Sequence, residues 1–90
     1  MKKELNESKN TKLLYCLLEV LSEKYACASD IKQKLESQDI KYQGKDFFPV
    51  LSHLLLKKYL CYNWISKSGK LVKYYHLTRN GDSFLKNNIN

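Results

Sequence analysis

Lysine side chains in the second half of the chain are the groups best suited to bind a charged ligand. Residues 40–90 hold nine Lys or Arg residues and two Asp residues, which gives them a net charge of +7. Residues 1–39 hold seven charges of each sign and are neutral. Ammonium groups bind phosphate oxygens, and the release of counterions from a polyanion drives such binding. This separation of charge indicates a face for a polyanion, although a merely solvated basic surface would give the same counts.

A candidate site for double-stranded DNA follows from the residue types in this half. Lysines could neutralise phosphates, and polar side chains could reach base edges. The candidates lie in a connecting segment (Lys41, Tyr42, Gln43), on a predicted helix (Lys45, Pro49, Ser52, His53, Lys57) and on a predicted hairpin (Lys67, Ser68, Gly69, Lys70, Lys73). Gln43 could pair with adenine or belong to a plain loop, and His53 could contact DNA or be an ordinary exposed residue. Because Arg79 is the single arginine, specificity must depend on other side chains or on DNA shape.

Catalytic and metal chemistry lack the residue patterns that they require. The sequence contains no nucleophile elbow, no glycine-rich phosphate loop and no His-x-x-x-His pair, so we expect neither an enzyme nor a cofactor. Cys16, Cys27 and Cys61 form no Cys-x-x-Cys pair, and their spacing to the two histidines does not match a zinc site. We interpret the three thiols as small apolar groups of a folded core.

Hydrophobic periodicity predicts the helices that position the candidate residues. Leucines at positions 14, 17, 18 and 21 predict a helix over residues 11–23, preceded by a flexible N-terminal arm over residues 1–10. Ser29 is expected to cap a second helix that ends near residue 38. A third helix is predicted over residues 45–58, with Pro49 in its first turns, where a missing amide is tolerated. Its predicted inner face consists of Phe47, Leu51, Leu54 and Lys58, flanked by Phe48 and Leu55.

Two segments rich in aromatic and β-branched residues predict a β-hairpin. They span residues 59–65 and 71–77, and a polar loop over residues 66–70 contains Gly69. A two-stranded hairpin cannot bury both faces, so we expect Tyr62, Trp64 and Tyr74 to pack on the helices or on a second subunit rather than on bases. Thr78 is expected to cap a last helix, whose anchors are Phe84 and Leu85.

The predicted order of elements, α-α-α-β-β-α, is that of a winged helix-turn-helix. The fold class is mainly α with a small β-hairpin, and the winged-helix domain spans residues 11–90. In this fold the second and third helices form the helix-turn-helix pair, the third helix enters the major groove, and the hairpin is the wing.

Four stretches of the chain have the pattern of a known group of winged helices. They are Leu21-Ser22-Glu23 with Asp30-Ile31-Lys32, Phe48-Pro49-Val50-Leu51 with Leu54, Tyr59-Leu60 leading to Trp64, and Lys73-Tyr74-Tyr75-His76-Leu77-Thr78 followed by Gly81. This pattern resembles the PadR-type transcriptional regulators. Their third helix typically begins with an aromatic-Pro pair, and their wing ends in a Lys-Tyr-Tyr-x-Leu-Thr-x-x-Gly run. The resemblance implies the role of a DNA-binding transcription regulator.

Several positions depart from the pattern of that family and leave other functions open. Lys58 stands where the family usually has glycine, and Asp46, Ser52 and His53 replace small neutral or basic residues. The family's long dimerisation helix has no counterpart before Asn90. The alternatives are a DNA-binding accessory factor of a plasmid, phage or conjugative element, acting at a transfer origin, in replication or in partition, and a protein-interaction module.

The expected partners are double-stranded DNA and a second copy of the chain. No membrane partner is indicated, because no apolar run approaches the roughly 20 residues of a membrane span. No small-molecule ligand is evident from the sequence. The first residues carry two lysines but no apolar segment of a secretory signal, so a cytoplasmic location is expected.

Overall fold

Within residues 2–88 the chain folds as three helices, a β-hairpin and a further helix, in the predicted order. The structure, a computed structural model, describes the backbone of residues 2–88 and the side chains of residues 11–87. The elements are α1 (Lys2–Glu23), α2 (Ala28–Ser37), α3 (Gly44–Leu56), β1 (Leu60–Lys67), β2 (Lys70–Leu77) and α4 (Arg79–Asn88). This is a winged helix-turn-helix, which confirms the predicted fold class. None of the helices in the described part is long and apolar enough to cross a membrane.

The core is built mainly from apolar side chains that recur every three or four residues on α1, α2 and α3, together with Leu85 on α4. Its helical members are Leu13, Leu17, Leu18, Val20, Leu21, Ile31, Leu35, Phe47, Val50, Leu51 and Leu54. The predicted core residue Leu14 is only half-buried, and Leu13 is buried instead. The base of the hairpin closes the core with Leu60 and Tyr75.

The first helix is longer than predicted. α1 begins at Lys2, whereas the leucine spacing predicts a start at residue 11. Residues 2–10 contain three Lys and two Glu, which favour helix and offer no strong stop signal. The division into a flexible arm over residues 1–10 and a winged-helix domain over residues 11–90 stays a prediction.

The start of α2 is fixed by a backbone pairing rather than by a side-chain cap. Ala26 and Tyr75 exchange two backbone hydrogen bonds, of 3.1 and 2.8 Å. The helix begins two residues later, with Cys27 at the N-cap position and no side-chain cap bond. The prediction that Ser29 caps α2 is therefore wrong: Ser29 lies inside the first turn, and its hydroxyl is 3.3 Å from the Cys27 sulfur.

α2 and α3 end in the same way, with a non-glycine residue in the left-handed region. Asp39 and Lys58 have φ angles of 58° and 64°. The next residue then donates its backbone N–H to a carbonyl of the last helical turn, at 2.9 Å after α2 and 3.0 Å after α3. This is a Schellman motif, in which glycine is the usual residue. Lys58 thus lies beyond α3 and is exposed, so its predicted place on the inner face is wrong.

The wing is a hairpin with the shortest common turn. β1 and β2 pair from Leu60 opposite Leu77 to Lys67 opposite Lys70. Ser68 and Gly69 alone make the turn, with φ of 52° and 80°, so the loop is shorter than the predicted residues 66–70. Positive φ at both central residues is typical of a type I′ turn, whose twist matches that of the paired strands. Strand pairing therefore reaches the tip of the wing.

Thr78 connects the end of α3 to the start of α4. Its hydroxyl donates to the Lys58 carbonyl at 2.7 Å and accepts from the Gly81 backbone N–H at 3.0 Å. The second bond confirms the predicted helix cap. The predicted anchors of α4 also pack inward: Leu85 is buried, and the Phe84 ring stacks on Tyr59 with a centroid distance of 4.5 Å.

A close approach of two backbones requires glycine at position 81. A Cβ atom there would overlap the carbonyl oxygen of Tyr59 and lie 2.8 Å from Leu77 Cδ1. The obstacle is main chain, which cannot rotate away as a flexible side chain can. This explains physically the glycine that follows the Leu77-Thr78 pair.

We expect Gly81→Ala to destabilise the fold by about 1–3 kcal/mol, since the methyl group must separate α4 from the segment that precedes β1. For a domain of this size, Tm should fall by roughly 4–8 °C for each kcal/mol. Thermal unfolding followed by circular dichroism measures this. Gly44→Ala is the matched control: a Cβ there meets nothing within 4 Å, so its Tm should be unchanged or higher. Equal Tm values for the two variants would contradict this account.

Candidate nucleic-acid interface

The solvent-facing side of α3 carries most of the candidate residues on that helix. Lys45, Pro49 and Ser52 recur at the spacing of one helical face, and all three are exposed. His53 is also exposed and lies beside them. Lys57 is the C-cap residue and lies exposed at the far end of the same helix. The structure thus brings these five residues onto one accessible surface.

The connecting segment before α3 contributes less than predicted. Tyr42 is half-buried and packs against the Phe47 ring at a centroid distance of 6.0 Å, so its ring supports the core. Gln43 is the N-cap residue of α3; its backbone carbonyl accepts from Asp46 N–H at 2.9 Å, and its exposed side chain makes no cap bond. Lys41 lies 3.8 Å from the Asp39 carboxylate, with both side chains almost fully exposed, so this pair adds little stability.

α2 contributes Lys32, whose position over two phenyl rings of α3 the sequence does not predict. Lys32 on α2 holds its ammonium nitrogen 4.9 Å from the Phe47 ring centroid and 5.0 Å from that of Phe48. Phe47 is fully buried, whereas Phe48 is 51% exposed.

The predicted inner face of α3 omits Val50, which is buried. Including Val50 would have moved the centre of that face away from Phe48 and indicated its exposure.

The tip of the wing presents two lysines on either side of its turn. Lys67 and Lys70 are direct partners across the strands, an arrangement in which like charges repel. Lys67 donates a hydrogen bond of 3.1 Å to the Tyr74 hydroxyl. This bond raises the pKa of Lys67 above its usual value. The Lys67 ammonium therefore stays charged. Ser68 and Gly69, between the two lysines, are exposed.

Lys73 lies on the side of the wing rather than at its tip. Its ammonium nitrogen is 4.4 Å from the Tyr62 ring centroid and 5.4 Å from that of Trp64. Trp64 is 57% exposed and Tyr62 is 41% exposed, so neither is covered by the helices of its own chain. The face of the hairpin that carries Tyr62 and Trp64 is thus left to solvent, although other residues of the hairpin contact the helices. The first of the two predicted alternatives, packing on the helices, is therefore wrong for Trp64 and Tyr62, while Tyr74 is half-buried beside Tyr25.

The lysines of this surface are not neutralised by neighbours. In the part of the chain that the structure describes, ion pairs join Lys34 to Glu23, Lys41 to Asp39 and Lys86 to Asp82. Lys45, Lys57, Lys67, Lys70 and Lys73 form no ion pair with any described residue. The exposed side of α3 and the wing consequently share a net positive charge, with Asp46 on α3 and Asp30 near Lys67 as the neighbouring carboxylates.

Metal ligation has no geometric support among the described residues. No three His, Cys, Asp or Glu side chains lie close enough together there to hold a metal ion. Cys27 is buried, Cys16 is half-buried and Cys61 is exposed, and all three are free thiols. Burial raises the pKa of the Cys16 thiol, which keeps it neutral.

Comparison with known proteins gives matches among solved structures. A PadR-like transcription factor from Bacteroides fragilis is 32% identical and superposes with a TM-score of 0.85, over 94% of this chain and 84% of that one. A PadR family regulator from Eggerthella lenta has 22% identity and a TM-score of 0.78, over 96% and 76% of the two chains. A PadR family regulator from Clostridium difficile has 21% identity and a TM-score of 0.73, over 81% and 79%. The last two establish likeness of fold alone. Neither a protein-family model nor a curated protein sequence matches the chain.

Proposed function

Since the chain belongs to the PadR-like family of transcription factors, we propose that it is a transcription regulator that binds double-stranded DNA. The observation that carries this proposal is the cluster of lysines on the exposed side of α3 and on the wing, namely Lys45, Lys57, Lys67, Lys70 and Lys73, none of which forms an ion pair with a described carboxylate. A phosphate backbone is the ligand that such a surface fits. The family gives the regulatory role, and a winged helix needs no catalytic group to perform it.

In the proposed complex α3 lies in the major groove and the wing lies along the neighbouring backbone. Lys45 and Lys57, at opposite ends of α3, would contact phosphates on the two sides of the groove. Ser52 and His53, between them, would reach base edges, and Gln43 would extend this set at the start of the helix. Lys67 and Lys70 at the wing tip, with Ser68 and Gly69 between them, would contact phosphate or the minor groove. Lys41 and Lys73 would add charge at the periphery.

We further propose that two copies of the chain bind one DNA site, in the cytoplasm. Two-fold related subunits match the two half-sites of a palindromic operator. A chain of 90 residues also has a thin core, to which a second subunit would add buried surface. We place the contact between subunits on the first helix, the N-terminal arm or the last helix, so that both wings stay free for DNA.

Binding to duplex DNA should weaken steeply with salt. If about five to seven phosphates are neutralised, log K should fall against log salt with a slope of roughly −4 to −6. Fluorescence anisotropy of a labelled duplex, titrated at several salt concentrations, measures the slope. A slope near zero would remove the DNA-binding proposal and favour an apolar protein-interaction surface.

The wing and α3 should differ in what they contribute to binding. Lys67→Ala with Lys70→Ala removes phosphate contacts, so affinity should fall equally on a target and on random duplexes, and the salt slope should shrink by up to ~2. Ser52→Ala and His53→Ala should cost about 1–3 kcal/mol on the target and little on random duplexes. Lys86→Ala, on α4 and thus outside both elements, is the control for loss of charge. The reverse pattern would mean that the wing reads the bases.

The proposed dimer should be visible without DNA. One chain has a mass of 10.6 kDa. Sedimentation equilibrium at tens of micromolar protein should give twice that mass. A monomer mass in both the absence and the presence of duplex DNA would contradict the dimer and leave DNA binding by a single chain.

A further inference from the structure

An aromatic ring stands exposed on the DNA-facing helix where the neighbouring candidates are polar. Phe48 is 51% exposed, although Phe47 beside it is fully buried. The two rings meet edge to face with a centroid distance of 5.1 Å, so one edge of Phe48 is packed and the rest faces solvent. Exposing a phenyl ring forfeits the free energy of its burial unless another surface covers it. A ligand that binds α3 would therefore gain affinity from an apolar group placed against the Phe48 ring.

The orientation of this ring is restricted before any ligand binds. Lys32 on α2 places its ammonium 5.0 Å from the Phe48 centroid and 4.9 Å from the Phe47 centroid. Phe47 is fixed by the core, so the shared cation and the edge contact both limit the rotamers of Phe48. A side chain held in this way loses little conformational freedom on binding.

Two further apolar groups lie on the same side of α3. One is Pro49, which follows Phe48 and is exposed. The other is Leu56, about two turns after Phe48, which is 81% exposed. Lys45 and Lys57 flank this apolar strip at its two ends, with no described carboxylate paired to either. Apolar groups beside the polar Ser52 and His53, between two cations, are complementary to a groove whose floor presents methyl as well as polar groups and whose rims carry phosphates. The charge of the rims favours DNA over an apolar protein surface.

We propose that Phe48 recognises thymine through its C5-methyl group, so that the DNA sites of this protein are rich in thymine where the start of α3 enters the major groove. This inference rests on the proposed function and deepens it. Thymine is the base that presents a methyl group in the major groove, and phenyl rings are among its known contacts. The usual reader of guanine is absent from this surface, because the single arginine, Arg79, lies on α4. Thymine methyl groups supply the base discrimination that arginine would otherwise provide.

The test replaces thymine by deoxyuridine, which lacks the methyl group and keeps every hydrogen-bonding group. Short duplexes are selected with the full chain from a random pool, and each thymine of the enriched sequence is then replaced in turn. Dissociation constants are measured by fluorescence anisotropy for the natural protein and for Phe48→Ala. Leu71→Ala is the matched control, because it removes an apolar side chain that is 68% exposed on the wing. Thermal unfolding verifies that the variants are folded, and Phe48→Leu supplies a second apolar side chain at the same position.

For the natural protein, at least one replacement should raise Kd about fourfold, the effect of ~0.8 kcal/mol for one buried methyl-sized group. The same replacement should leave the Kd of Phe48→Ala unchanged and that of Leu71→Ala raised as in the natural protein. Phe48→Leu should keep part of the discrimination.

Three results would overturn the inference. They are an enriched duplex in which no deoxyuridine replacement matters, the absence of any enriched sequence, and a Phe48→Ala variant that still distinguishes thymine from deoxyuridine at every position. In the first and third cases binding to the selected duplex would persist, and the proposed function would stand. In the second case salt-dependent duplex binding would persist, but the base readout proposed for α3 would be contradicted as well. Loss of all duplex binding by the natural protein would instead contradict the proposed function itself.

Discussion

Thr78 joins three elements of the fold, α3, the wing and α4, through its hydroxyl and its backbone N–H. Its hydroxyl bonds the first and the last of these. It donates to the Lys58 carbonyl, just after α3, and accepts from the Gly81 N–H in the first turn of α4. The Thr78 backbone N–H also donates to the Tyr59 carbonyl at 3.0 Å. The end of α3, the base of the wing and the start of α4 are thereby joined within a few ångströms. The angle between α3 and the wing is then fixed by hydrogen bonds rather than by loop length, and a surface made from both can keep one shape.

The sequence predicts the features of this fold that local chemistry decides. The cap at Thr78 follows from a hydroxyl residue that stands between a strand and a helix, and the anchors Phe84 and Leu85 follow from their spacing. Ser29 looks equally suited to capping, yet α2 begins before it, because the pairing of Ala26 with Tyr75 places the chain there. That pairing joins residues far apart in sequence, and no local pattern reports it.

The candidate interface likewise combines features that the local sequence predicts with features that tertiary packing decides. The exposed positions Lys45, Ser52 and His53 follow from the period of α3, since a helix with a buried face must expose the opposite one. The cation of Lys32 over two phenyl rings depends on how α2 crosses α3, which periodicity does not give. The exposure of Trp64 likewise depends on which face of the hairpin is left to solvent, and hence on tertiary packing.

The wing leaves one long strand edge without a neighbour. Tyr75 on β2 turns its backbone groups toward Ala26, whereas the outer edge of β1 faces no other strand of the described chain. Such an edge, lined by Tyr62 and Trp64, is a template for pairing with another molecule, and lysines beside an edge oppose that pairing. The wing carries Lys67, Lys70 and Lys73, and like charges on two wings oppose their pairing. Chemical neutralisation of these lysines would remove that repulsion and favour edge-to-edge association of wings, even with the core intact.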